Sequence, residues 1–177
     1  MARPPTRGNH TNGYIAAAVS RAFFDQIDDE LRGLLGPALR HYESVRASRL
    51  IKLWYGDPSV HFEVQMVAKR WSPTGEPVLE VGLHLEHPDP TVNERRLSRL
   101  TSGPASWRRR LPDADAGPAL GPRGGAWRRV SELLEEAAPD DPDLASEAAE
   151  RLALYIRILW PLLEGGSGQR RGEVEPG

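Results

Sequence analysis

Between residues 60 and 69 apolar and polar side chains alternate along the chain. Val60, Phe62, Val64, Met66 and Ala68 fall on one face of an extended segment, and His61, Glu63, Gln65 and Lys69 fall on the other. Alternation with a period of two predicts a strand with one buried face. Residues 78–86 repeat the pattern, with Leu79, Val81, Leu83 and Leu85 set against Val78, Glu80, Gly82, His84 and Glu86. Residues 49–56, RLIKLWYG, are rich in branched and aromatic side chains and read as a third strand. Turn-forming stretches separate the three, GDPS at 56–59 and RWSPTGEP at 70–77, so consecutive strands pair as an antiparallel meander.

Elsewhere the period changes to that of a helix. Ile15, Val19, Phe23, Ile27, Leu31 and Leu34 recur three and four residues apart and predict an N-terminal amphipathic helix, which Gly36-Pro37 ends. Pro37 can open a short second helix through Leu39 and Tyr42. Asp89 is placed to cap a helix that starts at Pro90 and turns Val92, Leu97 and Leu100 inward. A short helical piece carries Trp107 and Leu111, residues 112–125 read as a loop, and Trp127, Val130 and Leu134 suggest another helix. PDDPD at 139–143 breaks it. Leu144, Ala148, Leu152, Tyr155, Leu159 and Leu162 then form the stripe of a last helix, which Pro161 ends or kinks. The expected fold is α+β: a three-stranded antiparallel meander with the N-terminal helix and the C-terminal helices packed on its apolar face. One domain spans 14–164, between flexible ends at 1–13 and 165–177.

The polar face of the meander holds the chemistry. Matching apolar faces in the first hairpin sets Lys52 opposite Glu63 and Trp54 opposite His61. The same rule in the second hairpin sets Glu63 opposite His84 and His61 opposite Glu86. Opposed side chains start roughly 5 Å apart, so these groups can touch. Two imidazoles and two carboxylates, from His61, His84, Glu63 and Glu86, are a donor set for a divalent metal such as zinc, manganese or iron. A Glu63–His84 pair can also run acid–base chemistry, with Lys52 stabilising an anion. The same residues equally make an ordinary solvated sheet face, because opposite charges across strands stabilise one another. Trp54 among charged groups suggests a face covered in part by helices or by another protein.

Composition narrows the class. With 39% apolar and 27% charged residues, the chain of 177 residues is composed like an ordinary globular domain. A formal charge of −2 makes no global claim on nucleic acid or an anionic membrane. The absence of cysteine excludes disulfides, thiolate nucleophiles and Cys-ligated zinc, and is compatible with a cytoplasmic protein, the expected location. No signal peptide or membrane-spanning run is visible. Nearly all basic residues are Arg, which a GC-rich genome would favour. They concentrate from Arg95 to Arg129, including Trp107-Arg108-Arg109-Arg110, and acidic residues follow from 130 to 150. The Arg segment is either a phosphate or acidic-partner patch or one half of mutual pairing between the two blocks.

No phosphate-binding loop, dinucleotide fingerprint, GxSxG or HExxH is present. Asp57, Glu63 and Gln65 with Lys52 nearby approximate a PD-(D/E)xK nuclease pattern, with Gln in place of the motif Lys and Asp57 in a turn. Over residues 49–164 the element order of three strands, a helix entered through HPDPTVNERRLSRL, a Trp-Arg segment and a long helix ending in ILWPLLEG resembles small bacterial accessory domains without assigned function that accompany nuclease or restriction-type proteins. That resemblance implies a DNA-defence setting and brings no catalytic residues. The expected function is a non-catalytic binding or accessory module without a cofactor. It would contact a protein or nucleic acid through Trp54, His61, Trp107, Arg108, Arg109 and Arg110, and a homodimer is open to it. The alternative is a small divalent-metal-dependent hydrolase, nuclease-like, built on Lys52, His61, Glu63, His84 and Glu86.

Overall fold

A computed structural model describes residues 21–102, 106–134 and 143–164. The expected flexible ends, the helix start at Ile15 and Val19, and most of the PDDPD break lie outside the described residues. The architecture is α+β, and the sheet is larger than a three-stranded meander: six strands, all pairs antiparallel. In chain order they are β1 (Glu43–Ala47), β2 (Leu50–Trp54), β3 (Val60–Val67), β4 (Val78–Leu85), β5 (Asp115–Pro118) and β6 (Arg128–Leu134). The spatial order is β1-β2-β3-β4-β6-β5. The expected meander β2-β3-β4 forms its centre. The extra strands explain why β4 is buried along its whole length, since it has a neighbour on either side.

Two expectations for the second half are corrected. Residues 128–134 form a strand and not a helix, and 115–118, expected as loop, form its edge partner. Eight residues, 127–134, with apolar positions at 127, 130 and 134 satisfy a helical spacing. Pairing with the free edge of β4 supplies a ladder of hydrogen bonds that so short a helix lacks.

Among the described residues four helices complete the fold: α1 (Arg21–Leu34), α2 (Pro90–Ser102), α3 (Ser106–Arg110) and α4 (Leu144–Glu164). Asp89 caps α2 as expected, its Oδ1 accepting from the Thr91 N–H at 2.8 Å. Pro37–Leu39 is a single 3-10 turn. Phe24, Ile27 and Leu31 of α1 and Leu144, Ala148, Leu152, Tyr155 and Leu159 of α4 join Ile51, Leu53, Phe62, Val64, Val81 and Leu83 in one continuous core, while Leu162, expected in the α4 stripe, is exposed. Pro161 lies within α4, which continues to Glu164. The helices therefore cover the apolar face, as the alternation requires, and leave the other face of the sheet to different neighbours. Among the described residues, no helix is long and apolar enough to cross a membrane.

Candidate functional site

The first hairpin has the register expected from its faces: Lys52 opposes Glu63 and Trp54 opposes His61. The second hairpin is slipped by two residues. His61 opposes His84, Glu63 opposes Gly82, and Gln65 opposes Glu80. A slip of two keeps every side chain on its own face, so alternation cannot detect it. Residues 68–77 decide it, through a 3-10 turn at Lys69–Trp71. Strand β6 then extends each row, setting Arg129 opposite His84 and Ser131 opposite Gly82.

The consequence is a compact polar cluster. His61, Glu63, His84 and Glu86 each offer a ligand atom, and these atoms all lie within 4.8 Å of one another. His61, Glu63 and His84 are each 1% exposed, while the Glu86 side chain, past the end of β4, keeps 15% of its surface. Lys52 Nζ lies 3.0 Å from Glu63 Oε2 and 3.1 Å from Glu86 Oε2. His61 Nε2 is 3.2 Å from that same Glu63 oxygen and 3.8 Å from Glu86 Oε1. Burial alone would raise the Glu63 pKa, but His84, the hydrogen bond from His61 and Lys52 outweigh it and bring it down to about 2. Burial likewise works against the charge on Lys52, and Glu63 and Glu86 reverse that effect and hold its pKa above the usual value.

Each histidine turns one ring nitrogen to the cluster and the other to an acceptor outside it. His61 Nδ1 is 2.9 Å from the carbonyl oxygen of Pro58, in the β2–β3 turn. His84 Nδ1 is 4.0 Å from Glu86 Oε1, and its Nε2 is 3.8 Å from Glu80 Oε1. At that distance no hydrogen bond forms, and His84 Nε2 is a buried nitrogen without a partner among the described residues. Glu80 itself is fully buried and held in place. Ser131 Oγ–H donates to its Oε1 at 2.6 Å, and Gln65 Nε2–H donates to its Oε2 at 2.8 Å. Behind Ser131, the Arg129 guanidinium donates to the serine hydroxyl at 2.6 Å and to Asp115 at 2.9 Å. Glu80, Ser131 and Arg129 were not legible as site residues, because the role of each depends on the slipped register or on β6.

All the cluster residues but His61 line a cleft of about 140 Å³. Lys52, Glu63, His84 and Glu86 line its sheet side. Leu120, Arg123 and Trp127, from the Gly-rich segment between β5 and β6, line the other. Arg123 stacks over the Trp127 ring, 5.2 Å from its centre. The helices or second protein that Trp54 suggested as cover are not what lies over the polar face at the cleft; this segment does, and Trp54 is not among the lining residues.

The remaining expected contact residues disperse. Trp54 is partly buried beside His61 at the end of its row. Trp107 is 1% exposed, belongs to the core and donates its indole N–H to the Leu100 carbonyl at 2.7 Å. It therefore presents no contact surface, and neither does His61. Arg108, Arg109 and Arg110 are exposed, with Arg108 over the Trp107 ring. Glu135, Glu136, Asp140 and Asp141 of the acidic block lie outside the described residues, and the pairs seen among the described residues include these. Arg96 bonds Asp57, Arg128 bonds Glu94, and Glu132 is held by Arg151. Asp57 is engaged in that pair and in the turn with Ser59, away from Glu63, so the nuclease-like triad does not assemble. Comparison with protein-family models, with curated proteins and with solved structures finds no match for this chain.

Proposed function

We propose that the polar-face cleft is a divalent-metal centre and that the protein is a small metal-dependent hydrolase. The observation that carries the reading is the orientation of the two histidines. A ring that ligates a metal through one nitrogen usually donates the other N–H to a carbonyl or carboxylate, which fixes its tautomer. His61 has the Pro58 carbonyl in that place at 2.9 Å, and His84 Nε2 faces Glu80 at 3.8 Å, a carboxylate it would have to approach to bond. With metal–ligand bonds of about 2.0–2.2 Å, donors on opposite sides of an ion lie no more than about 4.4 Å apart. The ligand atoms, spread over as much as 4.8 Å, would have to draw inward to hold an ion. An ion held there is bordered by the cleft, so a water bound to it can be activated next to a substrate.

A second reading rests on Lys52. Its ammonium already bridges Glu63 and Glu86, so the charges are matched without an ion. In that case the face is structural, and the protein is a binding module whose exposed Arg108, Arg109 and Arg110 meet a protein or nucleic acid.

Thermal unfolding separates the two. The chelated protein is melted alone and with Mg²⁺, Mn²⁺ or Zn²⁺, beside a Glu63→Ala, His84→Ala double variant and the milder Glu86→Gln. A ligand that binds only the folded state raises the melting temperature by mass action. The hydrolase reading expects a rise with Mn²⁺ or Zn²⁺ that Glu86→Gln reduces and the double variant loses. No rise with any ion leaves the binding module.

A further inference from the structure

The cleft holds more than the metal-ligating set, and its charge says what else fits. Its charged lining residues are Glu63, Glu86, Lys52 and Arg123, two of each sign, so with His84 neutral they balance. Lys52 is bound to both carboxylates. A divalent ion on those carboxylates takes over their charge and releases the ammonium into the cleft. The cleft is then left with an excess of two positive charges between walls of low polarisability, where an anion is strongly favoured. Arg123 stands on the wall opposite the cluster, with its guanidinium stacked on Trp127. A stacked guanidinium keeps its N–H edge free for an oxyanion. At about 140 Å³ the cleft is smaller than the ~300 Å³ at which drug-sized pockets begin, so it admits a small anion or the anionic end group of a larger molecule.

We infer that the metal-loaded cleft binds a phosphate or carboxylate group between the metal, Lys52 and Arg123, which makes the substrate of the proposed hydrolase an anionic ester or amide. The inference rests on the metal reading, and its test keeps the two apart. Metal affinity is measured first, by titrating Mn²⁺ into the chelated full-length protein. Inorganic phosphate, and acetate in parallel, are then titrated calorimetrically into the apo and the Mn²⁺-loaded protein, and into Arg123→Ala and Lys52→Met. Arg123 is exposed and no metal ligand, so its variant is expected to keep the Mn²⁺ affinity within about twofold. The expected result is that phosphate or acetate binds the loaded protein and not the apo protein, at least tenfold more weakly in each variant; the tighter anion identifies the group. Mn²⁺ binding with equal anion affinity in wild type and Arg123→Ala overturns the anion inference and leaves the metal site intact. Anion binding to the apo protein overturns it too. Failure to bind Mn²⁺ or any other divalent ion removes both readings.

Discussion

His61 and His84 face each other directly across β3 and β4, their rings stacked with centroids 5.7 Å apart and planes 12° from parallel. Neither ring is exposed to any useful extent, and three carboxylates surround the pair: Glu63 and Glu86 on the cleft side, Glu80 on the other. Two adjacent imidazoles that are both charged repel each other, so a proton on each is a poor way to satisfy those carboxylates. Under the proposed metal reading, an ion ligated by one nitrogen of each ring would satisfy them instead.

Under that reading Glu80, 3.8 Å from His84 Nε2 and short of a hydrogen bond as it stands, is the carboxylate that would orient His84. Glu80→Gln keeps its shape and part of its bonding to Ser131 and Gln65 but removes the charged acceptor facing His84 Nε2. Loss of such a partner typically lowers metal affinity by about 10–100-fold. Competition for Zn²⁺ against a chromophoric chelator measures this, and circular dichroism of the same samples checks that the fold is retained. A Glu80→Gln variant with unchanged affinity would mean that His84 is not oriented from that side.

Gly82 of β4 lies directly opposite Ser131 of β6 with no room for a side chain. A Cβ built there falls 2.4 Å from Ser131 Cβ and 2.4 Å from the Val130 carbonyl oxygen, so backbone and not a flexible side chain must move. Overpacking of this kind costs about 1–3 kcal/mol, and more where backbone must shift. Gly82→Ala is expected to lower stability by at least about 2 kcal/mol in urea unfolding. By displacing Ser131 it also loosens the support of Glu80, so it should weaken metal binding as well.

Alternation placed Lys52, His61, Glu63 and His84 on one face, and the first register with them, because a one-residue error would have exposed Phe62 and Val64. The pairing of His61 with His84 was not legible, since a two-residue slip costs no apolar contact. Strand β6 was hidden because WRRVSELL satisfies helical spacing as well as extended spacing, and only the free edge of β4 chooses between them. The signal that could have found it is β4 itself: Val78 and Gly82 on its polar side sit poorly on an exposed edge. Trp107 was misread because its Arg neighbours suggested a surface, while its own ring was free to turn inward.

That last point separates two sets of side chains in one pentapeptide. Trp107 fills core volume and satisfies the Leu100 carbonyl, so Trp107→Ala should cost about 3–5 kcal/mol. Replacing Arg108, Arg109 and Arg110 together by Ser removes exposed charge and one stacking contact, and should cost less than about 1 kcal/mol. Chemical denaturation of both variants reads the contrast. Should the triple Ser variant unfold easily, the Arg segment would be part of the fold and not a free surface.

On the apolar side of the sheet, Glu132 is nearly buried and receives two hydrogen bonds from Arg151, at 2.6 and 2.9 Å. Burial raises its pKa and outweighs the opposing pull of Arg151. A carboxyl group whose pKa is raised on folding favours the folded state at low pH, and that contribution is lost as pH rises through the folded value. Wild type should therefore gain on a Glu132→Gln variant as pH falls from 7 toward the ordinary glutamate value of about 4.3. Melting curves of the two proteins across that range give the difference directly. A difference that moves the other way would show that Arg151 dominates.

Lys52 offers the sharpest discrimination, because its ammonium holds the position between Glu63 and Glu86 that a metal would claim. In the chelated protein, Lys52→Met leaves the buried Glu63 without the ammonium that lies 3.0 Å away. Breaking a buried pair from one side costs up to about 3–5 kcal/mol, and the remaining bond from His61 moderates it. Added Mn²⁺ or Zn²⁺ no longer has to displace an ammonium from two carboxylates. The ion should therefore raise the melting temperature of Lys52→Met by more than it raises that of wild type, and bring the two proteins closer together. If Lys52 is a structural partner and nothing else, the variant is destabilised and no ion repairs it.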